Sequence, residues 1–242
     1  RSKLSKRHGA TSVEEFRDQG YMAQSIINYL TLLGWSPEGN EEIFDLEKSI
    51  REFSLDRVNK TAAIYDVKKL AWINGHYMRG LDLDYVTKET IPFMIKKGIV
   101  TEQESREEFD HIKSIVAISR ERARTLDELA DTMAFFFKEI TEYEDKGIRK
   151  HFSKDNSAQL LVKGADALEK LDEFTHDTTE AAFRELTEGM DLKAAELIHP
   201  TRLAITGRTI GPGLFEIIVL LGKRTTTERM RKAAKWIEDN VK

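Results

Sequence analysis

The sequence of 242 residues contains no cysteine, which excludes disulfide bonds, thiolate metal ligands and cysteine nucleophiles. No apolar run approaches the roughly 18–20 residues that span a bilayer, and no signal peptide is visible. We therefore expect a cytoplasmic protein without membrane contact. The six histidines are scattered without metal-ligand spacing, so we expect no metal site. The net charge of −4 lacks the basic excess that usually marks a nucleic-acid-binding domain.

Proline is also scarce, with four residues in the chain, so long uninterrupted helices are possible. Alternation of polar and apolar residues with a period of two, typical of strands, is almost absent. Four segments have the Ser/Thr-x-x-Glu spacing of a capping box and predict helix starts at Ser12, Thr101, Thr125 and Thr225. Together these features predict an all-α fold.

Two apolar segments predict buried helix surface. The stretch from Leu214 to Leu221, between two glycines, is the most apolar in the chain and predicts a buried helix rather than a membrane span. Leu70, Trp72 and Ile73 have the spacing of residues in a helix core, and we expect all three to be packed inside the protein.

Charge is distributed unevenly along the chain. Residues 200–242 contain nine basic and four acidic residues, a net charge of +5, which leaves −9 in residues 1–199. A basic cluster lies at Arg120, Arg122 and Arg124, and helical spacing predicts that Arg122 faces away from the other two. The simplest interpretation of such a cluster is a solvated helix surface.

The segment Lys3-Leu4-Ser5-Lys6-Arg7-His8-Gly9 places two ammonium groups on either side of a serine. Such a loop can meet a polyphosphate, because a mobile lysine stabilises the negative charge that develops on departing phosphate oxygens. Basic N-terminal arms are common, so the spacing alone is weak evidence.

This segment resembles the K-[ML]-S-K-[SR] signature loop of class I aminoacyl-tRNA synthetases, in the form found in glutamyl-tRNA synthetases. Further blocks, in the same order as in that family, extend the resemblance over nearly the whole chain. They are Asn28-Tyr29-Leu30 with Leu33-Gly34-Trp35-Ser36, Phe53 to Val58, Tyr65 to Gly75, Arg202 to Arg208, and Gly211 to Glu216.

The resemblance implies that Lys3, Ser5 and Lys6 bind ATP, with Lys6 as the catalytic contact to the transition state. The family's H-x-G-H-type motif is absent, and the chain opens at Arg1 without a methionine. We therefore expect a C-terminal fragment without its catalytic domain, which binds tRNA-Glu as a monomer but is inactive alone. ATP with Mg²⁺, and glutamate, would be bound only by the full-length enzyme, and the fragment itself would hold no cofactor.

The resemblance also implies a domain order within the all-α fold. Residues 1–11 would end the catalytic domain, 12–84 would form a stem-contact domain, and 85–145 and 146–242 would form the two helical parts of an anticodon-binding domain. The implied tRNA-stem residues are Ser36, Arg57 and Lys69. The implied anticodon residues are Arg122, Arg202, Gly211, Pro212 and Leu214.

Two of these assignments carry further expectations. Arg122 falls where the family has an arginine that reads the third anticodon base, which implies an enzyme that distinguishes glutamate tRNA from glutamine tRNA. The turn Gly211-Pro212-Gly213 allows a base to approach the backbone and leads into a helix N-terminus that favours phosphate. From spacing alone, an ordinary helix–turn–helix junction is the better interpretation of that turn.

Three alternatives remain at this point. Glutaminyl-tRNA synthetase has a similar signature loop, but its anticodon module is built from β-barrels, and strand patterns are absent here. A tRNA-modifying glutamyl transferase lacks an anticodon domain, whereas this chain continues for more than 150 residues beyond the stem-contact region. An all-α protein-interaction scaffold would explain the acidity but not the ordered blocks.

Overall fold

The computed structural model describes residues 12–39, 41–60 and 64–241, and every regular element in these ranges is helical. The predicted all-α class is confirmed. Lys3, Ser5 and Lys6 lie outside the described residues. The chain divides into two units, which end and begin at Thr132 and Met133, within helix α8.

The first unit contains nine helical segments within the described residues, the last of which continues past Thr132. They are α1 (Val13–Asp18), α2 (Ala23–Leu32), α3 (Leu46–Glu52), a 3₁₀ turn (Leu55–Arg57), α4 (Val67–Gly80), α5 (Leu83–Lys96), α6 (Glu102–Glu107) and α7 (Phe109–Ser119), followed by α8 (Leu126–Phe137). The capping boxes predicted at Ser12 and Thr101 are both present. At Thr125 the hydroxyl accepts the Glu128 N–H, and α8 starts at the next residue, as predicted.

Helices α2 and α4 pack together and carry much of the first unit's core. Leu70 and Ile73 are fully buried, as predicted, but Trp72 is 40% exposed, so its assignment to the core was wrong. Two residues along a helix correspond to a rotation of about 200°, which places Trp72 on the face opposite Leu70. Aromatic edge contacts complete this core, including Tyr29 with Tyr65 at 5.6 Å between ring centroids.

The buried side chain of Asn74 joins three segments of the first unit. Its Oδ1 accepts the Met22 backbone N–H at 2.8 Å and the Ser25 hydroxyl at 2.6 Å. Its Nδ2 donates to the Arg124 carbonyl at 2.6 Å. The turn before α8 is therefore bonded both to α4 and, through Asn74, to the start of α2.

Gly20 makes a second connection to the same turn. Its carbonyl accepts the Leu126 N–H at 3.0 Å, and its φ of +83° lies in the left-handed region. A Cβ at this position would lie 2.6 Å from the Asp127 nitrogen, closer than van der Waals contact allows. Only glycine satisfies both the backbone angle and the close approach.

In its described residues, the second unit contains the end of α8 and six further helical segments. They are α9 (Asp145–Gly147), continuous with a π-helical turn (Ile148–Phe152), then α10 (Ser157–Glu169), α11 (His176–Gly189), α12 (Ala195–Thr206), α13 (Leu214–Leu221) and α14 (Lys223–Asn240). Helix α13 has the predicted bounds, and its Leu214, Ile217, Ile218 and Leu221 are buried. No helix of the described residues is both long and apolar enough to cross a bilayer.

The helix start predicted at Thr225 was wrong, because α14 begins two residues earlier, at Lys223. Gly222 has a φ of +78° and ends α13 while it also precedes the first residue of α14. Thr226 and Thr227, next to the predicted cap, are buried in the helix. A local capping pattern therefore does not mark a helix start when a glycine nearby already provides the break.

Helices α10 and α14 pack along each other, and Arg229 of α14 fixes the ends of two other helices. Its guanidinium donates to the carbonyls of Phe135, Ile205 and Lys138 at 2.7, 2.8 and 2.9 Å. These carbonyls lie at the C-terminal ends of α8 and α12, where backbone acceptors have no partner within the helix. Burial lowers the pKa of Arg229 from its usual value.

Substitution of Asn74 tests the connection that it makes. In Asn74→Ala, the Met22 N–H and the Arg124 carbonyl lose their partners inside the protein. We expect the free energy of unfolding of the first unit to fall by about 3 kcal/mol, since each buried group left without a partner costs about 1–3 kcal/mol. Urea denaturation in a Trp236→Phe background measures this, because the remaining tryptophans, Trp35 and Trp72, lie in the first unit.

Asn240→Ala in the same background is the matched control. The Asn240 amide makes one exposed hydrogen bond, to the Trp236 carbonyl, in the other unit. We expect Asn240→Ala to change the free energy of unfolding of the first unit by less than about 0.5 kcal/mol. Equal losses in the two variants would contradict the role given to Asn74.

Candidate nucleic-acid interface

The basic cluster at Arg120, Arg122 and Arg124 lies on a turn, not on a helix, because α7 ends at Ser119. The Arg120 guanidinium donates to the Leu81 carbonyl at 3.0 Å. The backbone of Arg124 is held at both ends, since its carbonyl accepts from Asn74 and its N–H donates to the Glu128 carboxylate at 2.8 Å. The outer two residues of the cluster therefore fix the turn.

Arg122 is the residue of this turn whose side chain is available to a ligand. It is exposed, and its backbone N–H donates to the Ser119 carbonyl at 3.1 Å. Within the described residues, its guanidinium makes no hydrogen bond or ion pair. A guanidinium with five free donors on a braced turn can form two parallel hydrogen bonds to a base edge or to a phosphate.

The predicted stem residues Ser36 and Arg57 lie in contact. Arg57 Nη2 donates to the Ser36 carbonyl at 2.7 Å, and its guanidinium carbon lies 5.2 Å from the centroid of the Trp35 ring. The carboxylate of Glu38 is 3.9 Å from Arg57 Nη1 and is almost fully exposed. The positive charge of Arg57 is thus held at the surface by an aromatic ring and a backbone carbonyl.

The third predicted stem residue, Lys69, makes contacts separate from those of Ser36 and Arg57. Its ammonium group is 2.6 Å from the Glu42 carboxylate. Together with Asn59 it lines a small pocket of about 240 Å³, and the Asn59 N–H donates to the Gly34 carbonyl at 2.7 Å.

In the second unit, the turn before α13 is held by the predicted residue Arg202. Its Nη1 donates to the Pro212 carbonyl at 2.6 Å. The same nitrogen would lie 3.4 Å from a Cβ at Gly211, so the guanidinium packs against this glycine. The structure thus brings Arg202, Gly211 and Pro212 together, with Arg202 supporting the shape of the turn.

Leu214 and the N-terminus of α13 lie at the end of this turn. The side chain of Leu214 is 4% exposed and belongs to the core. The carboxylate of Glu216 lies against Gly213, in the space that a Cβ at this position would occupy. A carboxylate therefore already occupies the space in front of the α13 N-terminus.

The exposed groups beside this turn were missed from the sequence. Ile210 is 73% exposed, and Arg208 is exposed with no side-chain partner in the described part of the chain. The next residue, Thr209, is fixed by the Glu144 carboxylate, which accepts from its N–H at 2.9 Å and its hydroxyl at 2.6 Å. An exposed isoleucine among polar residues was the available signal.

Across residues 12–39, 41–60 and 64–241, no three histidine or carboxylate side chains come together as a potential metal-ligand set. The candidate residues are instead arginines and lysines, each on a turn or helix fixed by backbone contacts. Cations placed in this way suit phosphate and base edges. An all-α fold that presents braced arginines has the features of a helical RNA-binding protein.

Comparison with known families gives the particular assignment. Residues 85–234 match the family model described as an anticodon binding domain, and residues 1–72 match the catalytic domain of class I tRNA synthetases (E and Q). Since the first match covers more than half of the sequence, the chain belongs to the anticodon binding domain family.

The relatives found among curated proteins are glutamate–tRNA ligases. The chain is 54% identical to glutamate–tRNA ligase 1 of Caldanaerobacter subterraneus subsp. tengcongensis, covering 100% of this chain and 50% of the relative. It is 54% identical to glutamate–tRNA ligase of Moorella thermoacetica, covering 100% and 49%. The chain spans about half the length of these relatives and matches their C-terminal half, which confirms the resemblance.

Two solved structures of glutamate–tRNA ligases are similar in fold to this chain. A crystal structure of a glutamate tRNA ligase from Elizabethkingia meningosepticum, in complex with its amino acid, has a TM-score of 0.84 and 25% identity, covering 97% of this chain and 49% of that one. A glutamate-tRNA synthetase from Elizabethkingia anophelis has a TM-score of 0.78 and 25% identity, covering 96% and 44%.

Replacement of Arg202 tests its role in the turn. In Arg202→Met, the buried Pro212 carbonyl loses its donor, and we expect the free energy of unfolding of the second unit to fall by about 1.5 kcal/mol. Urea denaturation followed by the fluorescence of Trp236, in a Trp35→Phe, Trp72→Phe background, measures this.

Arg224→Met is the matched control for this variant. Arg224 is exposed, and its side chain has no partner among the described residues. We expect its substitution to change stability by less than about 0.5 kcal/mol. If both variants behave alike, the bond to Pro212 does not stabilise the turn.

Proposed function

We propose that this chain is the tRNA-recognition part of a glutamate–tRNA ligase, which attaches glutamate to tRNA-Glu through a glutamyl-adenylate. In this proposal, residues 12–84 contact the stem of the tRNA and residues 85–242 bind its anticodon. The proposal rests on the match of residues 85–234 to an anticodon binding domain and on the two relatives described above, both named as glutamate–tRNA ligases.

One observation carries the anticodon assignment. Arg122 is an exposed guanidinium without a partner in the described residues, on a turn fixed by Asn74 and Gly20. Single-stranded bases are read by hydrogen bonds to their edges from groups held in a fixed position. A braced backbone under a free side chain suits this task, because little further ordering is needed on binding.

The other predicted residues have supporting roles. Arg57 and Lys69 each lie near one carboxylate, which a backbone phosphate can replace when the stem binds. Arg202 shapes the Gly211-Pro212 turn, and Arg208 and Ile210 beside it offer a charge and an apolar surface for an unstacked base. These are phosphate and stacking contacts, which position RNA without reading all of its sequence.

Catalysis belongs to the full-length protein in this proposal. Its substrates would be ATP with Mg²⁺, glutamate and tRNA-Glu, and Lys6, with Lys3 and Ser5, would stabilise the charge that develops on the phosphates. The present chain would make no adenylate alone, hold no cofactor, and act as a cytoplasmic monomer. The described residues contribute tRNA binding only.

Two alternatives are less well supported. A glutaminyl-tRNA synthetase has a β-barrel anticodon module, whereas residues 133–241 contain only helices as regular elements. An interaction scaffold does not account for 54% identity to glutamate–tRNA ligases along the whole chain. Neither alternative explains the braced arginine turn.

Titration with tRNA tests the proposal directly. We expect saturable binding of tRNA-Glu, with a plot of log K against log salt that has a slope of about −3 or steeper. Three neutralised phosphates give such a slope, at about −0.9 each. Fluorescence anisotropy of labelled tRNA at four salt concentrations measures it. Absence of saturable binding would support the scaffold alternative instead.

Arg122→Gln tests the anticodon assignment. We expect the affinity for tRNA-Glu to fall roughly tenfold and the gap between tRNA-Glu and tRNA-Gln to narrow, since a bidentate contact contributes about 1–3 kcal/mol of discrimination. Arg124→Gln removes the same charge two residues away and is the control. An unchanged affinity ratio in Arg122→Gln would exclude base reading by this residue.

A further inference from the structure

A pocket of about 470 Å³ lies in the second unit, between the π-helical turn and the start of α12. We call it the lysine pocket. It is lined by Lys150, Lys154, Lys193, His151, His199 and Glu196. None of these residues was singled out from the sequence, and none has a role in the function proposed above.

The lysine pocket has an excess of positive charge. Its three lysines are exposed, and their ammonium groups make no ion pair or hydrogen bond within the described residues. The carboxylate of Glu196, the acidic side chain among the lining residues, accepts the Lys193 backbone N–H at 3.3 Å. Three uncompensated ammonium groups around one pocket repel each other unless an anion binds among them.

One of these lysines, Lys150, lies in the π-helical turn, and Lys154 follows shortly after its end. His151 and Phe152 of this turn are buried, while Lys150 and Lys154 are exposed. The Ser157 hydroxyl donates to the His151 carbonyl at 2.7 Å and fixes the end of the turn. Single π-helical turns within α-helices are rare and occur often at functional sites.

Two imidazole rings form one side of the pocket. The rings of His151 and His199 are stacked, with centroids 4.8 Å apart and an interplanar angle of 24°. His151 is 8% exposed, and neither ring nitrogen has a hydrogen-bond partner among the described residues. An imidazole N–H that reaches the surface of a cavity without a protein partner is a donor available to a ligand.

The lowered pKa values of the two histidines are consistent with an anion-binding site. Burial, followed by the charges of His199, Lys150 and Lys154, lowers the pKa of His151 to about 4. Burial and the charges of Lys150, Arg202 and Lys154 also lower the pKa of His199. The pocket therefore disfavours additional positive charge when it is empty of ligand.

We propose that the lysine pocket binds a phosphate group, held by the three ammonium groups and by the imidazole N–H of His151. A phosphate carries the opposite charge and accepts several hydrogen bonds, so it satisfies both the lysines and the unpartnered ring. The source of the phosphate is the backbone of bound tRNA, a part of the inference that rests on the proposed function. A free phosphate ester has the same chemistry, and the experiment distinguishes the two.

The first arm uses inorganic phosphate and needs no RNA. In NMR titrations of the full chain, we expect the Cε1–H resonances of His151 and His199 to shift saturably with phosphate but not with sodium chloride at equal ionic strength. Bound phosphate should raise the pKa of His151 by about one unit or more, since an opposite charge within ~4–6 Å favours the charged form.

Both arms use one triple variant, in which three substitutions are combined: Lys150→Gln, Lys154→Gln and Lys193→Gln. We expect it to lose phosphate affinity about tenfold or more, because the charge-assisted hydrogen bonds of the three ammonium groups are removed. The matched control is Lys138→Gln, Lys170→Gln, Lys235→Gln, which removes the same charge from exposed lysines of the same unit outside the pocket. The control should bind phosphate within about twofold of the original chain.

The second arm repeats the tRNA titration. If the pocket holds a phosphate of the RNA backbone, the triple variant should lower the salt slope by about 1, as loss of one neutralised phosphate predicts, while the control leaves the slope unchanged. A response in both arms assigns the pocket to the RNA backbone. A response to phosphate alone supports the site and identifies a free phosphate ester as its ligand.

Failure of the inference and failure of the proposed function give different results. Normal tRNA binding by the original chain, with no histidine response to phosphate and no effect of the triple variant, overturns the lysine pocket but leaves the proposed function. Absence of tRNA binding, with a clear histidine response, overturns the proposed function but leaves the phosphate site.

Discussion

The first unit depends on one buried amide, that of Asn74. A side-chain amide in a helix core is costly unless its donors and acceptor are all used, and here they bond the Met22 N–H, the Ser25 hydroxyl and the Arg124 carbonyl. Because these partners lie on separate segments, one side chain fixes the relation of α4, the start of α2 and the turn before α8. Arg122 is presented to solvent on that turn.

In the second unit, a buried cation bonds backbone groups that would otherwise have no partner. Arg229 binds three carbonyls at the ends of α8 and α12, which have no partners of their own within a helix. In both units, therefore, a polar side chain inside the protein neutralises unpaired backbone groups. Arg122 and Arg208, by contrast, are exposed and make no side-chain hydrogen bond or ion pair within the described residues.

Several elements could be predicted from local pattern alone. Ser12 and Thr101 cap helices because a hydroxyl and a glutamate three residues apart satisfy free backbone donors regardless of what packs nearby. The helix start predicted at Thr225 was wrong, because Gly222 already separates α13 from α14. The prediction that Trp72 is buried was wrong, because proximity in sequence to Leu70 and Ile73 does not place its side chain on the same face of α4.

The sequence by itself determined the all-α class, the buried helix from Leu214 to Leu221 and, through its ordered blocks, the resemblance to glutamate–tRNA ligases. These depend on local periodicity and on residues that are adjacent in the chain. Only the tertiary structure decided that Arg202 supports a turn, that Leu214 is core, and that Lys150 and Lys193 share a pocket with His151. The physical reason is that contacts between segments far apart in sequence decide whether a side chain is buried, bonded to the backbone or exposed to a ligand.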